Sequence, residues 1–530
     1  MKLLKYTHLF LLVLFATACE QDLIETTPAD PDLTNVSPDP CSGNAGSADF
    51  TKFVAIGNSF VAGVQAGALF DEAQENSLPA ILNKQLACAG GTNTFTQPDI
   101  NATLGWNLFI TQPILGPPLD PTKPVLGRML LQGASPRPTP QAYAVGNLEA
   151  VPNPTINPGF MYTGSKTELN NFGVPAITLG QALIPATGNW AVPNPAAGFS
   201  PFYARFASAP GTSTIIGDAI AADPSFFLFW AGLDDFFLYA AFGGDPTKAP
   251  LNTAPAFQFQ YGAAIGSLLA SNSELKGVVG NFPNIFTMPH FTAVAWNAVP
   301  LDAATATVAM TALGNNYNAF LDGMFANGFI DEAEKDLRKL NYVAGQNPIL
   351  INDETLTDLT PYMAGPFAGL LPYAMARQTK NTDIIPLSAG TVLGTTIGGD
   401  ATKVYGVTVP LPDQYALIPS EISEIAEART AFNAAVKAIA DANSTRVAHA
   451  DIDKGLGDFI AAQAMVSNGI TITPNINPPT GIYSEDGVHP NSRGYALMAN
   501  LFIQAINETF GASVPPANIS RYKATGLPIP

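Results

Sequence analysis

The stretch Phe53-Val54-Ala55-Ile56-Gly57-Asn58-Ser59-Phe60 decides the fold class of this 530-residue chain. Four apolar residues run into a glycine and then into two polar residues. This pattern is typical of a buried parallel strand that ends in a turn and feeds a helix. We therefore predict a first strand at residues 53–56 in a sheet covered by helices.

The rest of the chain repeats this alternation of strands and helices. Short apolar runs predict further buried strands at residues 225–230, 277–281 and 446–451. Helical patterns cover residues 302–325, 419–443 and 491–510. In the second of these helices, Ser420 precedes Glu421 and Glu424 in capping positions. The alternation predicts a doubly wound α/β sheet with mostly parallel strands.

Two long stretches interrupt the alternation. Residues 60–170 are rich in Pro, Gly and Asn, and residues 330–415 contain short segments such as 404–409 that fit a small hairpin or edge strands. Structureless loops of this length are uncommon in compact domains. We expect two insertions with structure of their own, which decorate one elaborated domain.

Composition and charge exclude two classes of protein. Hydrophobic residues make up 47% of the chain and charged residues 12%, which is too apolar for intrinsic disorder. The formal net charge is −18, and Lys and Arg form no cluster. A nucleic-acid partner is therefore not expected.

The N-terminus has the features of a bacterial export signal. Lys2 and Lys5 precede an apolar run at residues 9–15, and Ala16-Thr17-Ala18 leads into Cys19. We interpret residues 1–18 as a lipoprotein signal peptide, Cys19 as the lipidated residue that anchors the protein to a membrane, and residues 19–49 as a flexible tether. The expected location is the bacterial cell envelope, at the outer membrane. Ordinary secretion, with Cys19 as a bystander, is the alternative.

Two more cysteines, Cys41 and Cys88, follow the signal. In an oxidising envelope they form either a disulfide or two buried free thiols, and spacing alone does not decide between these. The chain contains no Cys-x-x-Cys motif or Cys/His cluster, so we expect no metal.

A catalytic base has few candidates, because the histidines after the signal are His290, His449 and His489. His489 follows Asp486 by three residues, a spacing that lets the carboxylate turn back onto the imidazole Nδ1–H and orient the ring. The plain alternative is a surface turn. His290 and His449 are expected to be structural, and the alternative for both is a supporting contact to residues of the site.

Ser59 is the candidate nucleophile. It follows the first strand directly, which places it at the carboxyl edge of a parallel sheet, where α/β active sites gather. Backbone N–H groups at a helix start can also hold a developing oxyanion. The alternative is that Ser59 is only an N-cap.

The end of the predicted strand at 225–230 favours the catalytic interpretation. Phe229-Trp230-Ala231-Gly232-Leu233-Asp234-Asp235 again runs from an apolar strand into glycine and acidic residues. With the serine block 57–60, the glycine block Asn171-Phe172-Gly173-Val174-Pro175-Ala176 and the Asp-x-x-His block 486–489, it resembles the four motifs of the SGNH or GDSL hydrolases.

The resemblance implies a flavodoxin-like three-layer α/β/α sandwich. We expect a single domain over residues 50–515, followed by a tail at 516–530. The resemblance also implies a serine esterase or lipase. Ser59 would be the nucleophile, His489 the base and Asp486 its orienting carboxylate, with an oxyanion hole formed by Ser59, Ala176 and Asp234. Such an enzyme needs no cofactor, and its substrate would be a small-molecule or lipid ester.

Asp234 departs from the family pattern, which has asparagine at this position. An ionised carboxylate would repel the charge that an oxyanion hole stabilises. Asp234 can serve only if burial and the neighbouring Asp235 keep it protonated. Otherwise either the activity would be low, or the chain would be a non-catalytic envelope lipoprotein that binds a lipid or glycan in a degenerate cleft.

Overall fold

The centre of the protein is a five-stranded sheet in which all strands are parallel. The spatial order of the strands, numbered along the chain, is β2-β1-β3-β4-β5. All five residues of the first and third strands are buried, which explains why these segments are continuously apolar. The strands are β1 (Phe53–Gly57), β2 (Asn171–Gly173), β3 (Phe226–Trp230), β4 (Lys276–Gly280) and β5 (Val447–Ala450).

The computed structural model describes residues 41–103, 105–107, 126–132, 137–142 and 161–524. The predicted signal peptide, the proposed lipidation site Cys19 and tether residues 20–40 lie outside the described residues.

The strands predicted from the apolar runs are confirmed, and the sheet is entirely parallel rather than mostly parallel. β2 was not predicted as a strand. It has only three residues and contains Asn171 and Gly173, so it carries no apolar run. Its pairing with β1 aligns Ala55 with Asn171 and brings the glycine block beside the serine block.

Helices surround the sheet. The C-terminal helix contacts β4, β5 and the helix at 78–87, while the helices at 254–271 and 419–442 contact each other. These elements are α1 (Ser59–Ala62), α2 (Leu78–Ala87), α3 (Ile215–Ala221), α4 (Asp234–Ala241), α5 (Ala254–Ser271), α6 (Pro419–Ala442), α7 (Ile452–Ala462) and α8 (Ser492–Phe510). Shorter α-helices lie at Asp71–Glu75, Leu179–Ala182, Pro201–Ala204 and Pro289–Thr292.

The predicted helices over 419–443 and 491–510 are confirmed as α6 and α8. The capping position predicted for Ser420 in α6 is wrong. Ser420 lies inside the first turn of α6, and Ile418 is the residue that precedes the helix. The Glu421 carboxylate accepts a hydrogen bond from the Ile418 N–H at 2.8 Å, so Glu421 satisfies a donor that precedes the first turn.

The predicted helix over 302–325 is confirmed with a π-helical turn in its middle, at Met310–Gly314. Its buried residues do not join the core around the sheet. They belong to a second hydrophobic cluster, built from residues between Val299 and Ile418. This cluster includes Tyr317 and Leu350. Many of its residues lie in the predicted second insertion at 330–415. Its helices are Ala303–Ala309, Asn315–Ala326 and Glu332–Arg338.

Small antiparallel strand pairs decorate the molecule. In the predicted hairpin region 404–409, only Val404 lies in a strand, and Tyr405 and Val409 form an isolated bridge. The pairs are Ala68–Leu69 with Trp106–Asn107, Leu126–Gln132 with Arg137–Ala142, Val299–Leu301 with Gly345–Asn347, Leu350–Asn352 with Ala376–Gln378, Thr396–Ile397 with Asp400–Val404, and Met465–Ser467 with Ile470–Ile472. The structure is thus an α/β protein with a parallel sheet packed by helices and small hairpin insertions.

Cys41 and Cys88 form a disulfide, which decides the alternative that the sequence left open. The bridge joins residue 41 to the C-terminal end of α2, where Cys88 is the capping residue. In the part of the chain that the structure describes, no helix is both long and apolar enough to cross a membrane.

Candidate active site

Ser59 is the first residue of α1, directly after β1 and its N-cap Asn58. The N-cap is therefore Asn58, whose side chain accepts a hydrogen bond from the Phe60 N–H at 3.2 Å. Ser59 is buried, and its Oγ accepts a hydrogen bond from the Ala176 N–H at 3.1 Å. The hydroxyl thus contacts the backbone donor that the glycine block was expected to supply.

Ala176 lies in the loop after β2 with φ at +52°, in the left-handed region that favours glycine. The N–H of Ala176 is aimed at Ser59 in this conformation. The loop ends at Leu179, whose N–H donates to the Asp235 carboxylate at 2.7 Å. Asp235 also accepts from the Asn252 side chain at 2.7 Å. Asp235 therefore ties the loop that carries Ala176 to the start of α4.

Asp234 begins α4, directly after the Gly232-Leu233 turn at the end of β3. Its carboxyl group is buried, and its Oδ2 has no hydrogen-bond partner among the residues that the structure describes. Burial first, and the charge of Asp235 second, raise the pKa of Asp234 to about 8, although Asn58 and the Ile177 N–H act in the opposite direction. At pH 7 the neutral acid predominates, and a neutral carboxyl group can donate a hydrogen bond.

Asp235 is also buried, and burial raises its pKa to about 7. Hydrogen bonds from Leu179 and Asn252 limit this rise because they stabilise the carboxylate. The two neighbouring carboxyl groups therefore do not both ionise readily.

Asp486 and His489 form a direct pair in a tight turn before α8. The Asp486 Oδ2 lies 2.7 Å from His489 Nδ1 and accepts from the Gly67 N–H at 2.6 Å. Its Oδ1 accepts from the Val488 and His489 N–H groups, each at 2.8 Å. Burial alone would raise the pKa of Asp486, but the charge and hydrogen bonds of His489 and the Val488 N–H lower it below its ordinary value. An ionised Asp486 accepts the hydrogen of His489 Nδ1, which makes Nε2 the basic nitrogen of the ring.

The segment after α1 joins the serine to the histidine turn. The Phe60 ring, next to Ser59, lies 5.2 Å from the His489 ring between centroids. The Ala66 N–H donates to the Ser484 hydroxyl at 2.8 Å, and the Tyr495 hydroxyl donates to the Val64 carbonyl at 2.6 Å. Because β1 also pairs with β2 and β3, the four sequence blocks converge at one edge of the sheet.

Two side chains near this turn were not assigned to the site from the sequence. His290 contacts Asp486, since its Nδ1 lies 3.0 Å from the Asp486 carbonyl oxygen. Glu485 is buried beside Asp486, and burial raises its pKa to about 8, with the charge of Asp486 adding to this rise. At pH 7 the Glu485–Asp486 pair therefore carries its negative charge on Asp486. A usable signal for His290 was its position after the predicted strand at 277–281, since the serine block and the block at 229–235 also lie at the ends of predicted strands.

Within the described ranges, no group of three or more His, Cys, Asp or Glu side chains is placed to hold a metal ion. Comparisons with protein-family models, with curated proteins and with solved structures find no match to this chain. The interpretation of the site therefore depends on its own geometry.

Proposed function

We propose that this chain is a serine hydrolase that cleaves carboxylic esters through an acyl-serine intermediate. The observation that carries the proposal is that two contacts occur together at one edge of the sheet. Ser59 Oγ lies 3.1 Å from the Ala176 backbone N–H, and the Asp486 carboxylate lies 2.7 Å from His489 Nδ1. These are a hydroxyl beside an oxyanion donor and an imidazole oriented by a buried carboxylate.

The chemistry has two half-reactions. Ser59 Oγ bonds to the ester carbonyl carbon while its proton passes to His489 Nε2, and Asp486 stabilises the imidazolium that forms. The carbon–oxygen bond to the alcohol then breaks, and His489 returns the proton to the leaving oxygen. Water repeats the sequence on the acyl-serine, gives its proton to His489, and releases the acid as Ser59 recovers its hydrogen.

The oxyanion of each tetrahedral intermediate would be held by the N–H groups of Ser59 and Ala176 and by neutral Asp234. The Ala176 N–H contacts Ser59 Oγ before substrate binds and would turn to the substrate oxygen in the reaction. Asp234 meets the requirement for a donor only as the neutral acid, and its raised pKa supports that form at pH 7.

The fold supports assignment to the SGNH group. The strand order 2-1-3-4-5 is the order of flavodoxin-like doubly wound sheets. Contacts between α2 and α8, and separately between α5 and α6, favour two helical layers around the sheet. We infer a three-layer α/β/α sandwich with a site at the carboxyl ends of its strands.

We further propose that the enzyme is anchored in the bacterial envelope, at the outer membrane, by a lipid on Cys19, and that it acts on lipid or other acyl esters. The anchoring proposal depends on the signal pattern before Cys19. The disulfide between Cys41 and Cys88 is compatible with such a compartment.

Hydrolysis of chromogenic short-chain esters tests the activity. We expect wild-type turnover and a loss of at least about a thousandfold in Ser59→Ala, because removing a catalytic-triad member leaves only the residual contribution of binding and the oxyanion hole. Ser200→Ala is the matched control, since Ser200 is equally buried but is not part of the site. Wild-type activity equal to that of Ser59→Ala would favour the second candidate, a non-catalytic lipoprotein that binds a lipid or glycan, which the carboxyl group of Asp234 motivates.

A further inference from the structure

His290 contacts the turn that carries Asp486 through both its backbone and its side chain. Its backbone N–H donates to the Gly487 carbonyl at 2.9 Å. Its Nδ1 lies 3.0 Å from the Asp486 carbonyl oxygen. One residue of the helix Pro289–Thr292 therefore holds two consecutive carbonyls of the Asp-x-x-His turn.

The protonation state of His290 follows from these contacts. A carbonyl oxygen only accepts hydrogen bonds, so Nδ1 must carry the hydrogen. Burial lowers the pKa of His290, and the charge of His489 lowers it further, although the Asp486 carbonyl and carboxylate act in the opposite direction. A neutral His290 suits this place, because a second cation would oppose the imidazolium that His489 forms in the proposed reaction.

The turn fits closely against His290. Gly487 has φ at +72°, in the left-handed region, and a Cβ added there would lie 2.7 Å from the His290 nitrogen. Any side chain at residue 487 would thus strain the turn and push it away from His290. The close packing sets the distance between His290 and the backbone of Asp486.

The carboxylate of Asp486 has its own donors from Gly67, Val488 and His489, which fix one side of the residue. The carbonyl on the other side is held by the His290 imidazole. We propose that His290 is a positioning residue, which holds the backbone of Asp486 so that its carboxylate remains on His489 Nδ1. This inference rests on the proposed hydrolase function for its kinetic consequence, although the structural coupling can be measured separately.

Three substitutions distinguish the effect of the imidazole hydrogen bond on kcat from the effect of the volume of the ring. His290→Asn places an amide N–H near the position of Nδ1, His290→Gln places one near Nε2, and His290→Phe keeps a ring without a donor. The backbone bond to Gly487 survives in all three variants. We expect His290→Phe and His290→Gln to lower kcat on a short-chain ester about tenfold with little change in KM, and His290→Asn to recover most of the loss.

The kinetic result that would overturn the proposal is wild-type kcat in His290→Phe, or a loss in His290→Asn as large as that in His290→Gln. The Asn and Gln pair decides the matter even if the Phe variant fails to fold, because both amides are similar in size and polarity.

Proton NMR of the His489 Nδ1–H signal, recorded in a Ser59→Ala background, tests the coupling without catalysis. We expect the downfield signal to persist with His290→Asn and to broaden or disappear with His290→Gln. If the wild type hydrolyses no ester but this pattern holds, the proposed function is wrong and the positioning role remains. If esters are hydrolysed but the NMR signal and kcat are the same with Asn and Gln, the positioning role is wrong and the function remains.

Discussion

Replacing Asp234 by asparagine should show whether residue 234 acts as a hydrogen-bond donor, because asparagine donates at every pH. The asparagine side chain would present a permanent N–H donor of nearly the same size, whereas Asp234 donates only while it is protonated. The buried position of Asp234 beside Asp235 raises its pKa to about 8. The ionised form would place a negative charge where the tetrahedral intermediate develops its own.

The size of the effect follows from this pKa. A carboxyl group with a pKa of about 8 is about nine-tenths neutral at pH 7 and about one-tenth neutral at pH 9. If only the neutral form supports turnover, the rate ratio of Asp234→Asn to wild type should rise about tenfold between pH 7 and pH 9. Comparing the two enzymes as a ratio isolates the contribution of residue 234.

The assay is kcat/KM on one chromogenic ester, measured for both proteins across pH 6 to about 9.5. Asp235→Asn is an informative second variant, because the charge of Asp235 raises the pKa of Asp234. Without that charge, the alkaline loss of activity should begin at a lower pH than in the wild type.

Two outcomes would refute this reasoning. A ratio that stays constant with pH would show that Asp234 does not ionise near the reacting oxygen. A large loss in Asp234→Asn at every pH would show that the carboxylate itself is required, and the oxyanion role assigned to Asp234 would be wrong.

Three further predictions concern the anchor, the strained loop and the disulfide. Cys19→Ser should move the full-length protein from the detergent-extracted membrane fraction to the soluble fraction, and unchanged membrane association would contradict the lipid anchor. Ala176→Gly should raise the free energy of unfolding by roughly 0.5 to 1 kcal/mol in urea titrations, because glycine adopts the left-handed backbone without strain. The same variant should keep kcat, because it preserves the N–H donor. A loss of stability would show that the loop is not strained. Replacing Cys41 and Cys88 together by serine should lower the free energy of unfolding by about 4 kcal/mol, given their separation of 47 residues, and an unchanged urea midpoint would contradict this.

The parts of the fold that sequence alone predicted are those with local signals. β1 and β3 are apolar runs because parallel strands are buried on both faces, and the polar residues that end them are the candidate catalytic positions. The Asp486–His489 contact was also predictable, since a three-residue spacing confines the two side chains to one turn.

The remaining features depend on long-range contacts that leave little local pattern. β2 is too short for periodicity, and it pairs with β1 across more than a hundred residues. The helix over 302–325 was predictable from the sequence, but whether it packs on the sheet or on a second cluster was not. His290 meets Asp486 across 196 positions, so only the folded chain identifies its partner.

Mass-spectrometric mapping of a fluorophosphonate adduct tests the central claim most directly. We predict a single modified serine, Ser59, because Ser59 is the hydroxyl assigned a paired base. We also predict that His489→Ala slows the labelling by orders of magnitude. Labelling that persists in Ser59→Ala, or an unchanged labelling rate in His489→Ala, would contradict the assignment of nucleophile and base.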